Sequence, residues 1–404
     1  MKLLQLTILA ITFLIISGSS IETDRGEITN YRGKYVWSGS GEAFVPNYVM
    51  IDVIGKIRNE GNSNDLGPIS EEHVDRFISI YLKEHGFNGV HIPVYGQWFH
   101  IDENVVSLDD NEIDQETFDK LAMIINKVYQ AGGCTHIWLW GDASRSQTSK
   151  SLAGGIMSQE EKKLLDEIYK QLNPLKGWTM SYGFDLWEWV EGHQLKEWHD
   201  YLWQKEGWNH LLGARSSKNK LSQIYEGMDY ASYEYHKPWY QELIQMKGKR
   251  PDKPTFSEDR YRIRTPSKYP LKDYNEEETR RGLWHHTIAG GVAAIWGNLN
   301  DTGEYGNKDA LKCFSIFWND NKRFKKDMVI DTTLSNAYCL TDYSHFVFYK
   351  EETEKIEYSF SGKPKKVIAV DTKKKYQEID LGKQEVGKHE FLAPYQSDWA
   401  LWVE

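Results

Sequence analysis

Eight short apolar runs, each followed by a polar loop and usually by a helical stretch, recur through the first three quarters of the chain. They are Tyr35–Ser38, Gly89–Val94, Thr135–Trp140, Met180–Trp187, His210–Ala214, Tyr230–Tyr235, Pro254–Ser257 and Val292–Trp296. Between them, Ser70–Glu84 carries Val74, Phe77, Ile78 and Tyr81 at helical spacing. Gln115–Gln130 does the same with Phe118, Leu121, Ile124, Ile125 and Val128. Leu195–Gln204 and Glu276–His286 follow the pattern. Strand–helix alternation predicts a parallel sheet covered by helices. Eight strands over roughly 260 residues match an α/β fold of the closed (β/α)8 TIM-barrel kind. A doubly wound open sheet would carry a glycine-rich phosphate loop after an early strand, and none follows the first run. The thinnest stretch is Ser217–Gly227, with room only for a very short helix.

After Lys325 the period changes from helical to two. Phe346–Tyr349, Ile356–Phe360, Val367–Val370 and Trp399–Trp402 alternate and are separated by Gly, Lys and Asp turns. Short period-two runs of this kind predict a small antiparallel β-sandwich. At the other end, Met1-Lys2, an apolar run from Leu3 to Ile16 and the small residues Ser17–Ser20 form a secretory signal peptide pattern. The run is shorter than the ~20 residues of a spanning helix. The expected organisation is therefore a signal peptide over 1–20, a barrel over 21–325 and a β-sandwich over 326–404, in a secreted or periplasmic protein without membrane insertion once the signal is removed.

Cys134, Cys313 and Cys339 lie far apart and show no metal-type spacing. A net charge of −10, from 49 basic and 59 acidic residues, argues against nucleic acid and anionic polysaccharide as bulk electrostatic partners. Local basic clusters could still grip a charged sugar. The 16 Trp and 24 Tyr are large core fillers. Several nevertheless sit among polar groups, as in Tyr95–Trp98 and His236–Tyr240, which suits the apolar face and polar rim of a sugar ring.

Two runs are read as strands that stop at a glutamate: Tyr182–Glu188 in the fourth and Lys253–Glu258 in the seventh. In a (β/α)8 barrel, strand ends are where catalytic side chains collect. A pair of carboxylates there fits glycosidic bond cleavage, one protonating the leaving oxygen and the other attacking or stabilising the anomeric carbon. Trp187 and Trp189 give Glu188 the apolar flanks that suit an acid. Asp259, Arg260, Arg262 and Arg264 follow Glu258, and a guanidinium beside a carboxylate suits a nucleophile. Other strand ends offer substrate-binding groups: His91, Trp140, Asp142, Arg215, Glu234, His236, Arg260, Trp296 and Asn298. Glu42, after the first run, is a further candidate.

With glutamates ending strands four and seven, the chain resembles the retaining (β/α)8-barrel glycoside hydrolases of clan A. The segment Phe391–Trp399 is similar to the small β-domain that follows barrels of the apiosidase-like group, a domain sometimes given a collagen-binding label. The resemblance implies Glu188 as acid/base, Glu258 as nucleophile, a sugar-platform role for Trp296, and no metal or organic cofactor. It departs from the clan at one point. Many members carry Asn before the strand-four glutamate, and Trp187 stands there, which leaves Glu191 and Asp185 as alternative acids. The expected function is hydrolysis of an O-glycosidic bond in a plant- or algal-type poly- or oligosaccharide. The alternatives are a non-catalytic carbohydrate-binding barrel and a polysaccharide lyase using Arg215, Tyr233 and His236.

Overall fold

The computed structural model describes residues 24–51, 70–99, 112–141, 148–215, 225–263, 269–297 and 307–404. The signal-peptide reading, most of the 45–68 loop, Asp142, Arg264 and Asn298 lie outside them, as do the side chains of Arg260 and Arg262.

The eight-stranded parallel barrel is present. Its strands are Asn47–Met50, Gly89–Pro93, Cys134–Trp140, Trp178–Gly183, Leu212–Gly213, Ala231–Tyr233, Thr255–Ile263 and Val292–Trp296. Neighbours pair in parallel from the first strand to the fifth and from the sixth through the seventh and eighth back to the first. Seven of the runs coincide with the expected positions, and the first does not. Lys34–Trp37 pairs antiparallel with Ile28–Tyr31 and Ala43–Phe44 in a separate three-stranded sheet. Barrel strand one is Asn47–Met50, a few residues on. Both segments are apolar and short, so pattern alone does not separate them.

Barrel strands are buried on both faces, and the two faces feed different cores. Tyr48, Met50, Cys134, Trp138, Tyr230, Phe256, Ala293 and Ile295 fill the lumen. Val49, Val90, Ile92, Ile137, Met180, Val292 and Ala294 face the helices. Strand five is short, and Gly213 is required there: a Cβ would lie 2.0 Å from the Tyr230 ring that plugs the lumen. Three of the helices start on side-chain caps, Asp114, Ser158 and Asn275 each accepting from a first-turn N–H.

Beyond the barrel stands a six-stranded antiparallel sheet beginning at Val329. Its two long strands, Phe346–Phe360 and Gly387–Val403, pair along most of their length with register shifts between Lys350 and Lys355. The shifts bend the ladder, so that Phe346 and Phe348 from one half share a core with Ile356, Tyr358 and Phe360 from the other. One continuous sheet thereby closes into a sandwich. All three cysteines are buried free thiols. Among the described residues, no helix is long and apolar enough to cross a membrane.

The sandwich is tied to the barrel through Asp398, which is wholly buried. Its carboxylate accepts from Arg280 at 2.7 Å and from Arg281 at 2.9 and 3.2 Å, both on the Glu276–Ile288 helix, and from the Glu352 backbone N–H at 2.9 Å.

Candidate active site

Strand seven does not stop at Glu258. It runs to Ile263, and its pairing with strand eight slips between Ser257 and Arg260. Successive residues of a regular strand point to opposite faces. The bulge relaxes that rule and lets both Glu258 and Asp259 serve the inside of the barrel.

Glu258 lies in the lumen just below the mouth, 0 % exposed. Its Oε1 takes the Trp138 indole N–H at 2.5 Å and sits 2.9 Å from His136 Nε2. Its Oε2 accepts from the Ser232 hydroxyl. His136 is held in turn by Thr179, 3.0 Å from its Nδ1. Strands three, four and six thus fix the orientation of one carboxylate.

Asp259 belongs to a second, higher layer around Arg215, which follows strand five. This buried guanidinium pairs with Asp185, lies 3.3 Å from Glu234 and 4.0 Å from Asp259, and donates to the Glu258 carbonyl at 3.3 Å. It also lies 5.6 Å from the Trp138 ring and 5.5 Å from that of Phe184. Burial works against the Arg215 cation, but Glu234, Asp185 and Asp259 outweigh it and raise its pKa. Burial also pushes the Glu234 carboxyl up, against the pull of Arg215. Asp259 accepts from His236 on its other oxygen. Glu234, His236 and Asp259 bring donor atoms within 4.8 Å of one another, the grouping among the described residues that could hold a metal ion. Arg215 already supplies positive charge beside them.

Strand four ends at Gly183, five residues before Glu188. Thr179 and Ser181 face the lumen, and the next group on that side to carry a carboxylate is Asp185, in the left-handed region at φ 51°. A non-glycine residue held there is strained, a conformation that concentrates at functional sites. Glu188 is exposed at the end of the three-residue turn Leu186–Glu188, whose Leu186 is buried. The apolar enclosure expected around it is absent: Trp187 is exposed, and Trp189 turns inward onto Tyr182. Glu191 caps the Gly192–Trp203 helix in a reciprocal box with Gln194.

Gly183 lets this turn form. Its φ is +151°, and a Cβ would lie 2.4 Å from the Trp140 carbonyl oxygen. Gly183→Ala is expected to shift the Asp185 turn and cost about 1–3 kcal/mol of stability, measurable as a lowered denaturation midpoint.

Arg215, Glu234 and His236 therefore gather at the mouth as expected from sequence. Four others do not. The Trp140 indole is on the helix side, donating at 2.7 Å to Glu161 of the Gln159–Leu172 helix. Trp296 is wholly buried among Tyr261, Tyr274 and His286, with ring centroids 5.1, 5.8 and 5.9 Å away, and offers no platform. His91 is buried in the lumen, stacked 5.2 Å from His136, below the mouth. Glu42 pairs with Lys322 away from the mouth. Of Arg260 only the backbone, in strand seven, is described.

Sequence reasoning passed over His136, Trp138 and Ser232. A signal for the first two existed: in Cys134–Trp140, alternate positions Cys134, His136 and Trp138 share one face, and a histidine on a lumen face needs a partner.

No protein-family model matches the sequence, and no curated protein matches it. Solved structures share the fold. One named glycoside hydrolase superposes with a TM-score of 0.72 at 12% identity, over 94% of this chain and 97% of its own. A glycoside hydrolase family 5 protein from Bacteroides vulgatus gives 0.70 at 12% identity, over 94% and 93%. A conserved exported protein from Bacteroides fragilis gives 0.50 at 9% identity, over 89% and 97%.

Proposed function

We propose that this chain is a secreted glycoside hydrolase that cleaves O-glycosidic bonds in plant- or algal-type poly- or oligosaccharides by a retaining double displacement. The observation that carries the reading is that one cation, Arg215, joins the ends of strands four and seven: it pairs with the Asp185 carboxylate and donates to the backbone carbonyl of Glu258. Shared fold with structures named glycoside hydrolases supports it. So do two indoles on loops after strands four and six, Trp187 at 46% exposure and Trp239 at 55%, available to stack on sugar rings.

In this reading Glu258 attacks the anomeric carbon, the bond to the leaving oxygen breaks, and Asp185 protonates that oxygen. Asp185 then takes a proton from water, which opens the glycosyl ester and frees Glu258. Asp185 replaces Glu188 as the acid because it faces the mouth while Glu188 is exposed to solvent; its pairing with Arg215 favours the ionised carboxylate, so the bound sugar has to displace that contact for Asp185 to carry a proton. Arg215 keeps Glu234 and Asp259 as counter-charges when Asp185 carries its proton. A retaining path requires the two carboxyls to work ~5–5.5 Å apart. No cofactor enters the scheme.

Asp185→Asn is expected to lower turnover of poor-leaving-group glycosides by about 10²-fold or more, and to spare aryl glycosides whose leaving group needs no proton. Glu188→Gln should change neither. The opposite pattern would return the acid role to Glu188. The first-formed product, read by proton NMR on a cleaved plant or algal oligosaccharide, should keep the substrate's anomeric configuration.

One observation favours a second reading. The complete burial of Glu258 suits a barrel that binds carbohydrate without cleaving it, since a sugar reaches that carboxylate only by displacing what covers it. Binding without turnover across the oligosaccharide screen would select this reading. The lyase reading weakens, because Arg215 is engaged by three carboxylates and is not open to neutralise a uronate.

A further inference from the structure

A cavity of about 480 Å³ lies at the opposite end of the barrel from the mouth. Asn88 and Gly132 line it from positions just ahead of strands two and three, whose starts face away from the strand ends that carry Asp185 and Glu258. The three-stranded sheet contributes Trp37 and Phe44, the Ile316–Asp320 turn contributes Trp318, and the segment leading to the sandwich contributes Lys322 and Phe324–Asp327. Its size falls in the range of small-molecule sites, about 300–1,000 Å³.

We infer that this cavity binds a carboxylate-bearing sugar unit, as a non-catalytic site independent of the reaction proposed above. The floor is apolar: Phe44, backed by Trp37 with centroids 4.6 Å apart at 14°, lies beside Trp318 and Phe324, while Arg25 sits 4.3 Å over the Trp37 ring. The Trp318 indole nitrogen is buried with no hydrogen-bond partner. Around that floor stand four cations, Arg25, Lys322, Lys325 and Lys326, against three anions, Glu42, Asp327 and Asp342. The excess of one positive charge occurs in a chain whose net charge is −10.

The anions are already engaged. Glu42 pairs with Lys322, Asp327 lies 3.9 Å from Arg32, and Asp342 lies 3.0 Å from His345. Lys325, half-buried on the wall, has no carboxylate partner among the described residues. Two costly backbone states shape the same wall. Ile316–Asp320 is π-helical, and Lys322 is left-handed at φ 49°. Such features concentrate where a site has been built. A neutral sugar would use the aromatic floor and leave Lys325 unanswered. A bare anion would answer Lys325 and leave the floor empty. A sugar acid uses both.

The test is calorimetric titration of the full chain with D-glucuronate and D-galacturonate, against D-glucose, D-galactose and acetate. At least one uronate should bind tenfold or more tightly than its neutral counterpart and than acetate. Lys325→Ala should remove most of that preference, and Glu258→Gln should leave it intact. Binding of neither uronate would overturn the inference. Equal affinity for acetate would reduce the cavity to a plain anion site and overturn it as well. Uronate binding lost in Glu258→Gln but kept in Lys325→Ala would place the ligand in the mouth and have the same effect.

Discussion

Glu258→Gln is expected to lower turnover by at least about 10³-fold on any glycoside the protein cleaves, with the fold unchanged. The substitution removes the attacking oxygen and the charge but keeps the shape. The remaining carbonyl can still accept from His136 and Trp138, while the new amide can donate to the Ser232 hydroxyl, which is as good an acceptor as a donor. The lumen therefore stays satisfied, and thermal unfolding should move little. Kinetics and a melting curve on one preparation separate the two effects. Undiminished turnover would remove Glu258 from the chemistry and shift attention to Asp259, its neighbour on the bulge.

The second large effect is on stability. Asp398→Ala should cost about 3–5 kcal/mol, because it leaves Arg280 buried without its counter-charge. Burial alone would raise the Asp398 carboxyl, but the hydrogen bonds and charges of Arg281 and Arg280 outweigh it and hold it well below the usual carboxylate range. A carboxyl with a depressed folded pKa stabilises fully above its unfolded value, about 3.9, and loses that contribution as pH falls through the folded one. The wild type should thus lose stability progressively below about pH 4, and the variant should lose less over that interval. Chemical denaturation at a series of pH values measures both. Parallel curves for the two proteins would show that the ion cluster does not couple the sandwich to the barrel.

Much of this architecture was legible because parallel strands buried on both faces leave apolar runs that no surface helix imitates. The runs Met180–Trp187 and Pro254–Ser257 located strands four and seven but not their ends, since the first stops at Gly183 and the second continues to Ile263. The errors came from geometry that residue types do not encode. Phe184, Leu186 and Trp187 continue the apolar texture past the strand, so its end at Gly183 and the left-handed turn at Asp185 are invisible and Glu188 reads as the strand's last residue. The bulge at Ser257–Arg260 is equally silent, and with it the continuation of strand seven beyond Glu258. For Trp296 the alternation was present: Val292, Ala294 and Trp296 share one face, Ala293 and Ile295 the other. Which face looked inward required the neighbouring strands, and only then did the tryptophan turn toward the helices. Arg215 could be named from its position but not its company, since Asp185, Glu234 and Asp259 come from three separate segments.

Glu161 has a consequence for how the rim of the mouth is held. This wholly buried carboxylate, its pKa raised by burial, takes the Trp140 indole N–H, the Tyr182 hydroxyl at 2.7 Å and the Met157 backbone N–H at 2.5 Å. Tyr182 in turn meets Ser149 at 2.9 Å. The ends of strands three and four and the chain between Ser149 and Met157 are thus pinned to one carboxyl group behind the sheet. Asp185, three residues beyond Tyr182, therefore follows a strand end that is anchored from behind the sheet rather than from the mouth.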